Sequence, residues 1–275
     1  MKNNTHTNIS DNTHLQDENP IQASFHIPKP FERTAMLLGP EFLHYLTTRH
    51  ITIIGLGAVG FHAAESIVRF GVGNIRIVDF DTIHPSNLNR QLLALHSTIG
   101  QPKTEIAKKR LLDINPSLHI ETFETFFHED TFNLIFEKPT DIVIDAIDSF
   151  TPKINLLQLL VKNNIPVISS MGAARRTDPT CIKTGDIFES SVCPLAFRIR
   201  QVLRKAGISK GITCVYSTET PHKNKWTPSE HEEETYKRGR VRQSVGSISY
   251  ITGIFGYMIA WEVLKYFEKN QGAFL

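Results

Sequence analysis

The stretch from His50 to Gln101, HITIIGLGAVGFHAAESIVRFGVGNIRIVDFDTIHPSNLNRQLLALHSTIGQ, decides how the rest of the chain is read. An apolar run, Ile51 to Ile54, meets glycines at Gly55, Gly57 and Gly60, continues as a helical pattern, and returns to a second apolar run ending at Asp79. That order is a strand, a phosphate-cradling turn, a helix and a parallel strand. Gly55 permits the tight turn, Gly57 lets a phosphate approach the backbone, and Gly60 lets the helix pack closely on the sheet. Free N–H groups at the start of the helix, aided by its dipole, favour an anion there. Alone, such a turn announces a nucleotide, NAD and FAD included. The motifs that follow, Ser86-Asn87-Leu88-Asn89-Arg90-Gln91 and Gly100-Gln101-Pro102-Lys103, add cations that a nicotinamide site does not need and a triphosphate does.

Outward from this stretch the βαβ rhythm continues. A helix is expected from Pro102 to Asn115, strands at His119 to Phe123, Asp141 to Asp145 and Pro166 to Ser170, and helices at Asp130 to Glu137 and Pro152 to Asn163. The reading is a doubly wound, Rossmann-like, mostly parallel α/β sheet with a C-terminal α/β extension. That extension carries strands at Ile182 to Ile187 and Ile212 to Ser217, a basic helix from Pro194 to Ala206, a polar loop from Glu219 to Arg242, and an apolar helix from Gly246 to Phe267. Ser247, Ser249, Thr252, Glu262 and three glycines interrupt the last of these, so it reads as a helix buried against the sheet rather than a bilayer span. A short helix, Glu41 to Thr47, precedes the first strand. The first 24 residues form a polar tail without the apolar core of a secretion signal, and 25–270 read as one domain, divided into an ATP-binding core at 25–170 and a substrate-side extension at 171–270.

The net charge of +2 over 275 residues makes no global demand for nucleic acid. Cys181, Cys193 and Cys214 form no CxxC pair, which argues against a cysteine zinc site and suits a reducing, cytoplasmic compartment. Asp79 ends the second strand where a carboxylate accepts ribose hydroxyls. Asp148, beyond the fourth strand, is placed to hold Mg²⁺ against phosphates or, structurally, to cap the next helix. Asp145, within the strand end, reads as structural. Arg90 and Lys103 are placed to neutralise a triphosphate.

Taken in order, GxGxxG, DFD, SNLNRQ, GQPK and DAIDS resemble the ubiquitin-activating-enzyme-like adenylyltransferases, over Phe31 to Ser170. The resemblance implies that Asp79 binds ribose, Asn87 and Arg90 contact phosphates, Lys103 holds the triphosphate and Asp148 organises Mg²⁺. Asp81 and Ser149, in the same motifs, join the ATP-binding set. Arg33 falls where these enzymes carry an arginine that reaches into a neighbouring subunit's ATP site, which implies a homodimer. Met171-Gly172-Ala173-Ala174, Asp178-Pro179-Thr180, Gly185-Asp186-Ile187 and Cys214 to Glu219 look like the tRNA threonylcarbamoyladenosine dehydratases, and the resemblance then extends over 31–267. It implies adenylation of a carboxylate beside the tRNA anticodon and ring closure by its own carbamoyl group. The alternative within the superfamily is activation of the C-terminus of a ubiquitin-like sulfur carrier. Cys214 reads as a buried small side chain rather than a catalytic thiol. The candidate tRNA contacts are Arg175, Arg176, Arg198, Arg200, Arg204, Lys205, Lys237, Arg238, Arg240 and Arg242. Sulfur-transfer or redox proteins are further candidate partners.

Overall fold

A computed structural model describes residues 26–226 and 245–271. The polar tail, the cluster Lys237, Arg238, Arg240 and Arg242, and most of the 219–242 loop lie outside the described residues. Seven strands form one sheet: β1 (His50–Ile54), β2 (Asn74–Val78), β3 (His119–Phe123), β4 (Ile142–Asp145), β5 (Val167–Ser170), β6 (Ile182–Asp186) and β7 (Thr213–Ser217). Their order is β3-β2-β1-β4-β5-β7-β6, with every pairing parallel except the edge pair β6 and β7. β1 lies between β2 and β4, so the direction of winding reverses beside it. In open α/β sheets that reversal opens a crevice at the strands' carboxyl ends. The expected doubly wound α/β sheet is therefore observed, and the extension adds its strands to the same sheet.

The helices are α1 (Glu32–Leu38), α2 (Pro40–Thr47), α3 (Gly60–Arg69), α4 (Lys103–Ile114), α5 (Glu129–Ile135), α6 (Phe150–Lys162), α7 (Pro194–Lys205) and α8 (Ser249–Gln271). α1 was not expected from the sequence. It is a single short element anchored by Phe31 and Ala35, with no long apolar stripe to announce it.

α8 begins three residues later than expected and packs chiefly on α3 as well as on β5, β6 and β7. Its residues Ile251, Phe255, Ile259, Val263 and Phe267 recur every fourth position and are all buried, which makes one ridge of the core. Each such side chain contributes about 1.5–3 kcal/mol of transfer free energy. A Cβ at Gly256 would lie 2.5 Å from His62 Cβ and 2.8 Å from Val59 O. The glycines that dilute this helix in the sequence thus let α3 come close. Among the described residues no helix is long and apolar enough to cross a membrane.

Candidate functional site

The turn after β1 is held from both sides. Gly55 N–H donates to Val78 O on β2 at 2.9 Å, and Ala146 N–H donates to Ile54 O at 2.9 Å. Gly55 has φ of +97°, and a Cβ there would stand 2.7 Å from Ala146 O; one at Gly60 would stand 1.8 Å from Gly55 O. These two glycines are needed by the protein itself. Gly57 is different, since its nearest neighbour within reach of a Cβ is Gln91 Nε2 at 4.0 Å. The space over Gly57 is therefore free of backbone, and the first turn of α3 has no side-chain cap. Gln91 is buried, and its Oε1 finds no hydrogen-bond partner among the described residues; Thr104 Oγ1, one residue after Lys103, is in the same condition. Buried polar atoms are ordinarily paired, so Gln91 Oε1, beside Gly57, is available to a further hydrogen-bond donor.

Around the turn sit the other residues expected there. Asp79 Oδ2 accepts from Leu56 N–H at 2.6 Å and its Oδ1 accepts from Asp81 N–H at 2.9 Å, so this carboxylate fixes the glycine turn and the following loop together. Burial pushes the Asp79 carboxyl up, against the pull of Lys103 and of both amides. Lys103, the first residue of α4, is buried with Nζ 2.5 Å from Asp81 Oδ2. Asp81 thus holds the lysine in place. A cation at a helix start opposes the helix dipole, so Lys103 is stabilised there by Asp81. Asn87 is buried and accepts from His84 N–H at 3.1 Å. Arg90 is half-buried, with one guanidinium nitrogen 2.7 Å from Ser86 O and 2.9 Å from Asn89 Oδ1.

The end of β4 brings Asp148 to the same sheet edge, exposed, one residue before Ser149, which occupies the N-cap of α6. Behind Asp148 lies a buried network that the sequence reading lacked. Asp145 Oδ2 is 2.6 Å from Lys153 Nζ and accepts from Ser169 Oγ at 2.6 Å, while Oδ1 accepts from Ile147 N–H at 3.1 Å. The available signal was a lysine at position 153, four before Leu157 and seven before Leu160 on the buried stripe of α6.

Arg33 is not brought to this edge. It is exposed on α1, next to Phe31, and Phe31 with Leu43 of α2 lies against Gly71, just before β2 begins. That is the amino end of the sheet, and a five-residue strand separates the two ends by about 17 Å. Of the candidate tRNA residues, Arg175, Arg198, Arg204 and Lys205 are exposed. One expectation is corrected: Arg200 is tied inward, donating to Ser190 O at 2.7 Å and Ile187 O at 3.2 Å. Arg176 is buried. Cys214 is fully buried and burial pushes its thiol far up, so it is no nucleophile.

Hollows elsewhere on the surface, one along α1 and one beside His50, Asn74 and His119, include no residue of the glycine turn, Lys103 or Asp148. The candidate site lies at the carboxyl edge of the sheet.

The chain is similar to known proteins over most of its length. Residues 31–274 match the ThiF family. The tRNA threonylcarbamoyladenosine dehydratase of Bacillus subtilis is 43% identical over 191 residues, covering 70% of this chain and 75% of the relative. The Escherichia coli protein of that name is 32% identical over 246 residues, covering 86% and 92%. The crystal structure of E. coli tRNA N6-threonylcarbamoyladenosine dehydratase, TcdA, in complex with ATP superposes with a TM-score of 0.78 at 30% identity, covering 88% of this chain and 95% of that one. The chain belongs to the ThiF family.

Proposed function

We propose that this protein is an ATP-dependent tRNA threonylcarbamoyladenosine dehydratase. The observation that carries the reading is the open glycine turn at Gly57 beside Gln91, whose Oε1 has no partner among the described residues, with the buried Lys103–Asp81 pair following β2 and Asp148 following β4. The likeness over most of the chain to proteins named for that reaction supports the choice of substrate. In this reaction the carboxylate of the threonylcarbamoyl group attacks the α-phosphate of ATP and pyrophosphate leaves. The substrate's own carbamoyl group then attacks the activated carbonyl, a five-membered ring closes, a proton is lost and AMP departs with one carboxylate oxygen. The net change is loss of water. The attacking group is intramolecular, so the enzyme supplies position and charge rather than a nucleophile.

In this scheme Lys103 and Arg90 neutralise the phosphates, Asp79 takes the ribose, Asn87 and Asp81 keep their loop and lysine in register, and the backbone at Gly57 meets the phosphate chain. Mg²⁺, when bound, would screen charge on the phosphates. Asp148 fits it as a single carboxylate at the exposed edge, and no cage of three or more His, Cys, Asp or Glu exists among the described residues. Arg33 lies too far from its own chain's glycine turn to serve it. A homodimer in which Arg33 enters the partner's site accounts for this, and Met36 and Leu37 on the same helix, 84% and 83% exposed, offer apolar surface for such a contact.

The test is incubation with ATP, Mg²⁺ and tRNA carrying threonylcarbamoyladenosine. AMP release together with a nucleoside lighter by one water supports the reading. Adenylation of a carrier-protein C-terminus, with no change in the tRNA, would replace it.

A further inference from the structure

Arg176 is 2% exposed, and its Nε and Nη1 have no hydrogen-bond partner among the described residues. An arginine does not shed its charge in proteins, and a buried charge without a counter-ion is strongly unfavourable. The surrounding backbone nevertheless holds it firmly. Arg175 N–H donates to Gly246 O at 2.8 Å and Arg175 O accepts from His222 N–H at 2.9 Å, with Arg175 itself at φ of +59°. Beyond it, the Glu219 carboxylate accepts from Thr177 N–H and Asp178 N–H, and Tyr250 Oη donates to Thr177 O at 2.7 Å. Glu219, the nearby acid, is thus engaged by these groups and by His222 and does not neutralise the guanidinium.

The position is as informative as the missing partner. Arg176 follows β5, which pairs with β4, so its loop and that of Asp148 leave neighbouring strands at the same sheet edge. Gly246 O takes the Arg175 amide, while the adjacent Ser247 O takes Asn89 Nδ2 at 3.1 Å from the loop that carries Arg90. The segment leading into α8 therefore clasps the Arg176 loop to the loop that carries Arg90.

We propose that Arg176 receives the carboxylate of the substrate. The inference rests on the proposed function, whose first step must bring that anion against a polyphosphate. A planar guanidinium matches a carboxylate with two parallel N–H bonds, and a buried one offsets the repulsion between the two anions. A backbone phosphate of the same RNA shares this chemistry, and the experiment separates the two sources.

Binding of an anticodon stem-loop would be measured with threonylcarbamoyladenosine and with plain adenosine, for wild type, Arg176→Met and Arg176→Lys. Arg176→Met is expected to weaken the modified RNA by about 10- to 100-fold and the plain RNA by less than about twofold, with Arg176→Lys recovering part of the loss. Equal losses on both RNAs would assign a phosphate contact and overturn the carboxylate. No loss on either would overturn the anion site. Thermal unfolding without ligand is the second readout: Arg176→Met should melt no lower than wild type, because it removes an unpaired buried charge, and a marked drop would make Arg176 structural. Wild-type dehydration of the modified tRNA is the control. Its absence sinks the proposed function, whereas its presence with unchanged variant binding sinks only this inference.

Discussion

Lys153 Nζ lies 2.6 Å from Asp145 Oδ2, with both side chains removed from solvent, and the same oxygen accepts the Ser169 hydroxyl. One carboxylate thereby joins β4, α6 and β5 beneath the loop that presents Asp148. Breaking a buried pair leaves an uncompensated charge, so Lys153→Met should cost about 3–5 kcal/mol in urea unfolding. Asp145→Asn should cost a similar amount, and the double variant less than the sum. Additive losses in that cycle would show that the two residues do not act as a pair.

Gly57 and Gly60 separate ligand binding from folding. Gly60→Ala places a methyl 1.8 Å from Gly55 O and should unfold the turn, lowering stability by more than about 3 kcal/mol. Gly57→Ala meets only the end of Gln91, so it should melt within a few degrees of wild type while ATP affinity falls more than about tenfold. Calorimetric titration with ATP checks this, and undiminished affinity would remove Gly57 from the phosphate site.

Lys103 is buried against Asp81. Lys103→Met should reduce kcat/KM for ATP by about 100-fold, the scale set by loss of one preorganised charge at a reacting phosphate. Asp81→Asn should act in the same direction and more weakly, because the lysine keeps its charge and loses its tether. Steady-state kinetics at saturating tRNA would show it.

The reach of Arg33 is testable by complementation. Arg33→Ala and Asp148→Ala chains should each be nearly inactive. Unfolded and refolded together in equal amounts, they should regain about a quarter of wild-type activity, since half the dimers are mixed and one of their two sites is intact. No recovery would count against a site shared between subunits.

At acid pH a different pair governs stability. Arg76 on β2 and Glu121 on β3 stand directly opposite in the ladder, with Arg76 Nη2 2.7 Å from Glu121 Oε2 and Lys138 on the other oxygen. Burial raises the Glu121 carboxyl, but the hydrogen bonds from Lys138 and Arg76 outweigh it and hold the group at about 2. A folded value below the unfolded one of 4.5 means the stabilisation is complete above that value and is lost as pH falls towards 2. Glu121→Gln should therefore flatten the fall in urea-derived stability across this window. An unchanged slope would place the acid sensitivity elsewhere.

Much of the site was legible because it is local. Gly55, Gly57, Gly60, Asp79, Asn87, Arg90 and Lys103 lie within about 50 residues as fixed offsets along one βαβ unit, and offsets of that kind are visible in a string. Lys153 was not legible because its partners, Asp145 and Ser169, sit on two other strands. Nor was Gln91, whose importance comes from its distance to Gly57 rather than from its place in the SNLNRQ motif.

The sequence by itself determined the parallel α/β order, the glycine turn and the acids and cations that follow it, since strand and helix periodicity and turn chemistry are properties of neighbouring residues. Tertiary structure alone decided which charges are buried, which are paired and which are exposed. It buried Arg176 without a hydrogen-bond partner for Nε and Nη1 among the described residues, spent Arg200 on backbone carbonyls, and set Arg33 at the end of the sheet opposite its own glycine turn. The physical reason is that burial and pairing depend on what the other elements bring to a residue, and a guanidinium in water and one in a core read identically in the chain.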